Sequence, residues 1–332
     1  MKRKLAFLLM LCFGWSFFLN GCGGTLPKTD DRLQVVCTIF PEYDWARQLT
    51  QGVDNVDLTL LVKNGTDLHS YQPSVRDIAM IARADVFCYV GGVSDTWVND
   101  VLDTTENRTA QLVSMAEAAD ADEEVLAEGM QAEHEHEHEH DHHDDESDSH
   151  EEPPELDEHV WLSLRRAALA CTAMKEALCK ADPAHEDIYN QNCTDYLQKL
   201  QELDSDFTEM TSQAARDTIV VADRFPFRYL AEDYGLTYYA AFPGCSAEAE
   251  ASFETIVFLS EKVESLHLPC VLVTEGSNSS LAKTILENAG SDGKILTLQS
   301  LQAVSQKEID AGVTYLSKMQ ENYDVLKQAL NS

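Results

Sequence analysis

Short β-rich runs alternate with helical stretches along most of the chain. LQVVCTIF (33–40) and VDLTLLV (56–62) flank an amphipathic piece ending near Gln51. The same rhythm continues through a helix near Val75–Arg83, ADVFCYVGG (84–92), a helix near Thr96–Leu102 and TAQLVSM (109–115). From Trp161 to about Gln213 the pattern is helical only, broken at Ala181-Asp182-Pro183, where proline can open a new helix. The second of these helices carries Ile188, Tyr196, Leu200, Leu203 and Phe207 on a rough 3-4 repeat and is long for a globular helix. Alternation then resumes with DTIVVAD (217–223), FRYLAEDYG, TYYAAFPG (237–244), a helix near Phe253–Leu266, PCVLVTEG (269–276), Leu281–Ala289, KILTLQ (294–299) and a closing helix from Gly312 to Leu330. Strands alternating with helices predict parallel α/β layers, here two α/β lobes joined by one long helix. The expected boundaries are a first lobe over 33–118, a helix over 159–182 completing it, a linking helix over 183–215 and a second lobe over 216–332.

One segment fits neither period. Residues 119–158 hold 19 acidic residues, 7 of the 11 His in the chain and no Lys or Arg, with EHEHEHEHDHHDD at 133–145 as the extreme. Like charges and the scarcity of large apolar residues predict a solvated, flexible His/acid-rich loop, and EHEHEHEHDHHDD itself can build no core. Without it the formal charge of −34 falls to −34 + 19 = −15. Only 24 Lys and Arg stand against 58 acids, so nucleic acid is excluded as a partner and a cationic ligand is favoured.

The N-terminus reads as an export signal. A basic start (Lys2, Arg3, Lys4) and an apolar run from Leu5 to Leu19 lead to Leu19-Asn20-Gly21-Cys22. The run is short of the about 20 residues a membrane span needs, and small residues beside a Cys suggest cleavage. It resembles a bacterial lipoprotein signal (1–21), with Cys22 lipidated and 22–32 a tether to the membrane. Seven further cysteines, Cys37, Cys88, Cys171, Cys179, Cys193, Cys245 and Cys270, show no CxxC spacing.

Open α/β sheets bind ligands beyond the carboxyl ends of their strands. Four metal-capable side chains stand at such element ends: His69 in NGTDLHSYQPS, His159 in DEHVW, Asp223 closing TIVVAD and Glu275 closing CVLVTE. No HExxH, GxSxG or Gly-rich phosphate loop accompanies them, so no enzyme is expected.

NGTDLHSYQPSVRDIAMIARADVFCYVGG resembles the G-x-D-x-H-x-Y-x-P-s loop, helix and strand of ZnuA/AdcA/TroA-like metal-binding lipoproteins that feed zinc or manganese ABC importers. HVWLSL is similar to the H-x-W-L-D-P of that family, and DPAHEDIYNQNCTDYLQKLQELD to its linking helix. The resemblance spans essentially the whole chain. It implies two Rossmann-like lobes joined by a rigid linking helix, with one divalent metal in the interlobe cleft. His69 and His159 match two ligand positions, and Glu275 matches the carboxylate of the second lobe. Where the family has His or Glu after the fifth strand, this chain has Arg224, and a cation cannot ligate a cation. Asp223 is the preferred replacement; Glu248 or Glu250 of GCSAEAEAS, or a water on a three-ligand site, are the alternatives.

The resemblance further implies an extracytoplasmic protein, acting as a monomer, that captures Zn(II) and passes it to an ABC permease and its ATPase. Manganese or iron(II) import, or a surface adhesin or metal store, are the alternatives. Two His with one or two carboxylates suit zinc, with Mn(II) or Fe(II) also able to bind. His134, His136, His138, His140, His142, His143 and His150 are expected to form an accessory loop holding zinc weakly beside the cleft.

Overall fold

In the computed structural model, residues 32–63, 66, 68–105, 109–130, 156–246 and 250–332 are described. The signal, Cys22 and the seven histidines of the acidic segment lie outside the described residues, as does Glu248.

The first half holds β1 (Leu33–Cys37), α1 (Phe40–Leu49), β2 (Val56–Leu60), α2 (Val75–Ile81), β3 (Val86–Tyr89), α3 (Trp97–Thr104), β4 (Gln111–Ser114) and a short α4 (Met115–Ala118). Its four strands form a parallel sheet in the order β2-β1-β3-β4. The second half repeats the plan with β5 (Thr218–Phe225), α7 (Arg228–Asp233), β6 (Thr237–Pro243), α8 (Phe253–Ser265), β7 (Cys270–Thr274), α9 (Ser280–Asn288) and β8 (Lys294–Leu298). That sheet is also parallel, in the order β6-β5-β7-β8. The short α10 (Gln306–Asp310) and the closing α11 (Tyr315–Asn331) follow. The inner strands read VVC and VLV because both of their faces are covered, as parallel sheets require.

Between the halves run α5 (Leu164–Ala181) and α6 (Glu186–Ser212). The 27 residues of α6 span about 40 Å at 1.5 Å per residue. Its buried residues, Tyr189, Cys193, Tyr196, Leu200, Leu203, Phe207 and Met210, step by four and three without a break, a seam along one face. That seam belongs to one core cluster that also takes in Trp45 and Leu49 of α1, Met174 of α5 and Tyr315 and Leu326 of α11. The two lobes therefore share apolar packing along the linking helix.

Polar links reinforce this. The Trp161 indole N–H donates to the Ser300 carbonyl (2.9 Å), and the Tyr315 hydroxyl donates to the Trp161 carbonyl (2.6 Å). The Tyr315 amide donates to the buried Asp44 carboxylate at 2.7 Å.

The ends of the acidic segment are built into the fold. Glu123 and Leu156 form an antiparallel bridge, and the Asp157 amide donates to the Asp122 carbonyl at 2.9 Å. Arg166 holds Asp122 (2.5 Å) while stacking over the Tyr229 ring, and the Tyr229 hydroxyl donates to the Asp157 carbonyl at 2.7 Å. Residues 123–129 thereby run onto the second lobe, where Glu128 meets Lys262. Only the ends of the expected flexible loop are described, and both are pinned by backbone pairing that composition alone does not reveal. Among the described residues no helix is long and apolar enough to cross a membrane.

Candidate metal centre

His69 sits on the 3-10 turn Leu68–Ser70 that follows β2, anchored by the fully buried Leu68. A second turn, Val93–Asp95, follows β3 and carries Ser94 against it. The Ser94 hydroxyl lies 2.8 Å from Nδ1 of His69 and donates to the carboxylate of Glu158. With its own proton on Glu158, the Ser94 oxygen accepts from Nδ1–H of His69, which leaves Nε2 as the lone-pair donor of that ring. The Ser94 amide also donates to Glu158 (3.0 Å), and Oε1 of Glu158 is 3.3 Å from the His69 ring nitrogen. Gly92 is required here, since a Cβ at that position would overlap the Glu158 carboxyl group.

His159 precedes the 3-10 turn Val160–Leu162 and is completely buried. Oδ1 of Asp157 accepts from both its Nδ1 (2.8 Å) and its amide (3.1 Å). A carboxylate on one ring nitrogen directs the lone pair to the other. That other nitrogen, Nε2, is buried and has no hydrogen-bond partner. Leaving such a group unsatisfied costs about 1–3 kcal/mol, and a lone pair on a buried imidazole nitrogen can serve as a metal ligand. The two imidazole centroids are 5.6 Å apart.

The second lobe contributes Cys245, directly after β6 and Gly244. A Cβ at Gly244 would stand 2.8 Å from Cε1 of His159, so only glycine allows the turn this close to the ring. The Cys245 amide donates to Glu124 at 3.3 Å. His69, Glu158, His159 and Cys245 each offer one donor atom, all within 4.8 Å of one another.

The electrostatics of the cluster follow from its burial and its carboxylates. Burial pushes the Glu158 carboxyl up, though the facing His159 and the Ser94 hydrogen bonds offset part of this. Burial also pushes the Cys245 thiol well up, aided by the charges of Glu158, Glu124 and Asp157. For His159, burial pulls the imidazole down, but the hydrogen bond and charge of Asp157 together with the charges of Glu158 and Glu124 outweigh it, and the net shift is upward. Burial is the largest cause for Glu158 and Cys245, and anionic neighbours are what raise His159.

Of the four residues singled out at element ends, the structure brings His69 and His159 together and leaves Asp223 and Glu275 outside the cluster. Asp223 lies within β5, which runs on to Phe225 through a register shift between Val221 and Arg224. Its carboxylate accepts from the Thr274 hydroxyl at 2.7 Å, tying β5 to β7 where the two strands pair at Val221 and Leu272. Glu275 accepts from the Ser300 amide and hydroxyl, both at 2.6 Å, and so fastens the turn after β8. Glu250 is exposed. Glu158 and Cys245 were passed over in the sequence, although the rule that points to His69 also applies to a Cys one residue past the glycine that ends TYYAAFPG. Glu158 is flagged only by its adjacency to His159.

Two parallel-sheet lobes with a His, carboxylate and thiol cluster define a metal-binding protein of the two-lobed α/β type. Residues 35–329 match the family described as "Zinc-uptake complex component A periplasmic", ZnuA, and the chain belongs to that family. It is 32% identical over 328 residues to the zinc-binding lipoprotein AdcA of Streptococcus pneumoniae, covering 99% of this chain and 61% of that protein. The chain thus spans about three-fifths of the length of the AdcA relatives it matches. It is 30% identical over 329 residues to the high-affinity zinc uptake system protein ZnuA of Bacillus subtilis, with 98% and 96% covered. The crystal structure of the Zn(II)-bound ZnuA-like domain of Streptococcus pneumoniae AdcA superposes with a TM-score of 0.69 at 29% identity, covering 91% of this chain and all of that one.

Proposed function

We propose that this protein is an extracytoplasmic zinc-capture component that binds Zn(II) between its lobes and delivers it to an ABC permease driven by an ATPase. The lipid on Cys22 tethers it to the membrane, and its role is capture and delivery rather than catalysis. The observation that carries the reading is the buried, unpartnered Nε2 of His159, on a ring that Asp157 holds within the four-residue cluster that includes His69. The family and the zinc-binding names of its relatives support it. A pair of imidazoles from two loops suits zinc at about 2.0–2.1 Å per nitrogen.

Delivery needs binding that can be reversed. Shared core packing along α6 makes the lobes stiff, so release is expected to involve the loops at the strand ends rather than a wide hinge. Calorimetric titration of the full chain tests the site: His69→Ala and His159→Ala should each lose zinc affinity by about two orders of magnitude or more, since each removes a direct ligand. Wild-type affinity in both variants would remove the site.

A further inference from the structure

We propose that Cys245 closes the site from the second lobe as a thiolate ligand and makes the protein select zinc and similarly thiophilic cations over manganese. This rests on the reading of the cleft as a zinc site and names what completes it.

The first lobe supplies His69, on the turn that follows β2, and Glu158 and His159, just before α5. A site that spans two lobes needs a donor from the other side. The end of β5 offers Arg224, a cation, and the ends of β7 and β8 are occupied by the Glu275–Ser300 hydrogen bonds. Among the described residues what remains is the turn after β6, and it is built for approach: Gly244 lies against the His159 ring with no room for a side chain.

The same turn is braced on both sides. The Cys245 amide donates to Glu124, and the Arg224 guanidinium reaches the Ser246 carbonyl at 3.5 Å. Arg224, unable to bind metal, thus supports the loop that can. Of the described cysteines, Cys245 alone stands among metal-capable groups; Cys37, Cys88, Cys171, Cys193 and Cys270 are buried.

The charge count fits. As the sulfur–zinc bond forms, the thiol proton leaves to the buffer and no oxidation state changes. Thiolate and the Glu158 carboxylate together match the two charges of a dication, so the ligand set with its metal carries no net charge, with Asp157 and Glu124 as the anions beside it. Two nitrogens, one sulfur and one oxygen make a four-coordinate set of the kind zinc adopts. Manganese favours six mostly oxygen ligands and gains little from a soft thiolate.

Cobalt(II) in place of zinc reads this directly in the full chain. The wild type should show the visible bands of four-coordinate cobalt together with a sulfur-to-metal charge-transfer band in the near ultraviolet. Cys245→Ser should lose the charge-transfer band while still binding cobalt, and its zinc affinity should fall by roughly two orders of magnitude. Its manganese affinity should change by about threefold or less, so the preference narrows. Glu275→Gln should keep the band.

Mass-spectrometric mapping of alkylation gives a readout that needs no variant. Zinc should protect Cys245, with the partly exposed Cys179 on α5 as the internal reference. Four-coordinate cobalt bands without charge transfer in the wild type, a band that survives in Cys245→Ser, or equal alkylation of Cys245 with and without zinc would each overturn the thiolate while leaving the zinc site standing. Absence of any zinc or cobalt binding by the wild type would overturn the site itself.

Discussion

Replacing Asp157 by Asn keeps the shape of the side chain and removes its charge, which makes it a sharp probe of how His159 is prepared for metal. In the wild type Oδ1 of Asp157 accepts from the ring and from the backbone of the same histidine, fixing both tautomer and rotamer. Loss of such an outer partner costs about 10–100-fold in metal affinity. At about 1.4 kcal/mol per tenfold this corresponds to about 1.4–2.8 kcal/mol. Folding should suffer less. The charge-assisted hydrogen bond is worth about 1.5–3 kcal/mol, but the Asp157 charge also raises the carboxyls of Glu158 and Glu124, and its removal relieves both.

The pH dependence supplies a second check. Burial lowers the His159 imidazole, and Asp157 with the charges of Glu158 and Glu124 more than restores it, so in the metal-free protein the ring takes up a proton at a pH above its ordinary value of about 6.5. Proton and zinc compete for Nε2 through that window. Removing Asp157 weakens the competing proton as well as the metal, so the deficit of the variant should be largest at pH 8 and smaller at pH 6. Competition against a chromophoric chelator at both values measures it, with thermal melts of the metal-free proteins alongside. Zinc binding by Asp157→Asn at wild-type strength at pH 8 would refute the idea that this carboxylate prepares the ring.

Burial pushes the Glu42 carboxyl up to about 8 and that of Asp95 up to about 7, and a raised folded pKa gives stability that is present below the unfolded value and lost as pH rises through the folded one. The metal-free protein should therefore become less stable from about pH 4.5 to pH 8, and denaturant melts of Glu42→Gln should show a flatter slope across that range. Trp161→Ala should cost about 3–5 kcal/mol, because a fully buried indole is lost and the Ser300 carbonyl loses its donor; an unchanged denaturation midpoint would contradict the packing described between the lobes. Replacing every His between His134 and His150 by Gln should remove loosely bound zinc and leave the tight site unchanged in calorimetry. Extra zinc retained by the Gln loop would make the carboxylates the store.

Much of the fold was legible because its signal is local and repeated. All eight expected strands are present, and the helical stretch from Trp161 resolves into α5 and α6 with the break at Pro183. The misses are at edges. TAQLVSM contains a strand over Gln111–Ser114 and then turns into α4 at Met115, where the Ser114 hydroxyl caps the helix by accepting from the Glu117 amide. Periodicity has no means of showing that one side chain ends a strand and opens a helix. The pinned ends of the acidic segment were hidden for another reason. Their order comes from Arg166 and Tyr229, which lie far away in the chain and are unremarkable in composition.

The site divides along the same line. A strand-end position can be read from a pattern, and it points to His69 and His159 because few other histidines stand outside the acidic segment. What a pattern cannot show is which carboxylates at such positions are already engaged. Asp223, Glu275 and Glu158 look alike in sequence, and all three accept hydrogen bonds from a hydroxyl: Thr274, Ser300 and Ser94 respectively. The difference is what shares that hydroxyl. Ser94 also meets the ring of His69, so the bond that holds Glu158 turns the imidazole into position, whereas the other two bonds fasten strands and turns of the second lobe. Glu158 also accepts from the Ser94 amide, so what sets it apart is the imidazole that shares its hydroxyl partner. Deciding between such carboxylates takes distances across the cleft, and among the described residues those same distances bring a cysteine that looked like one of seven into the cluster with His159.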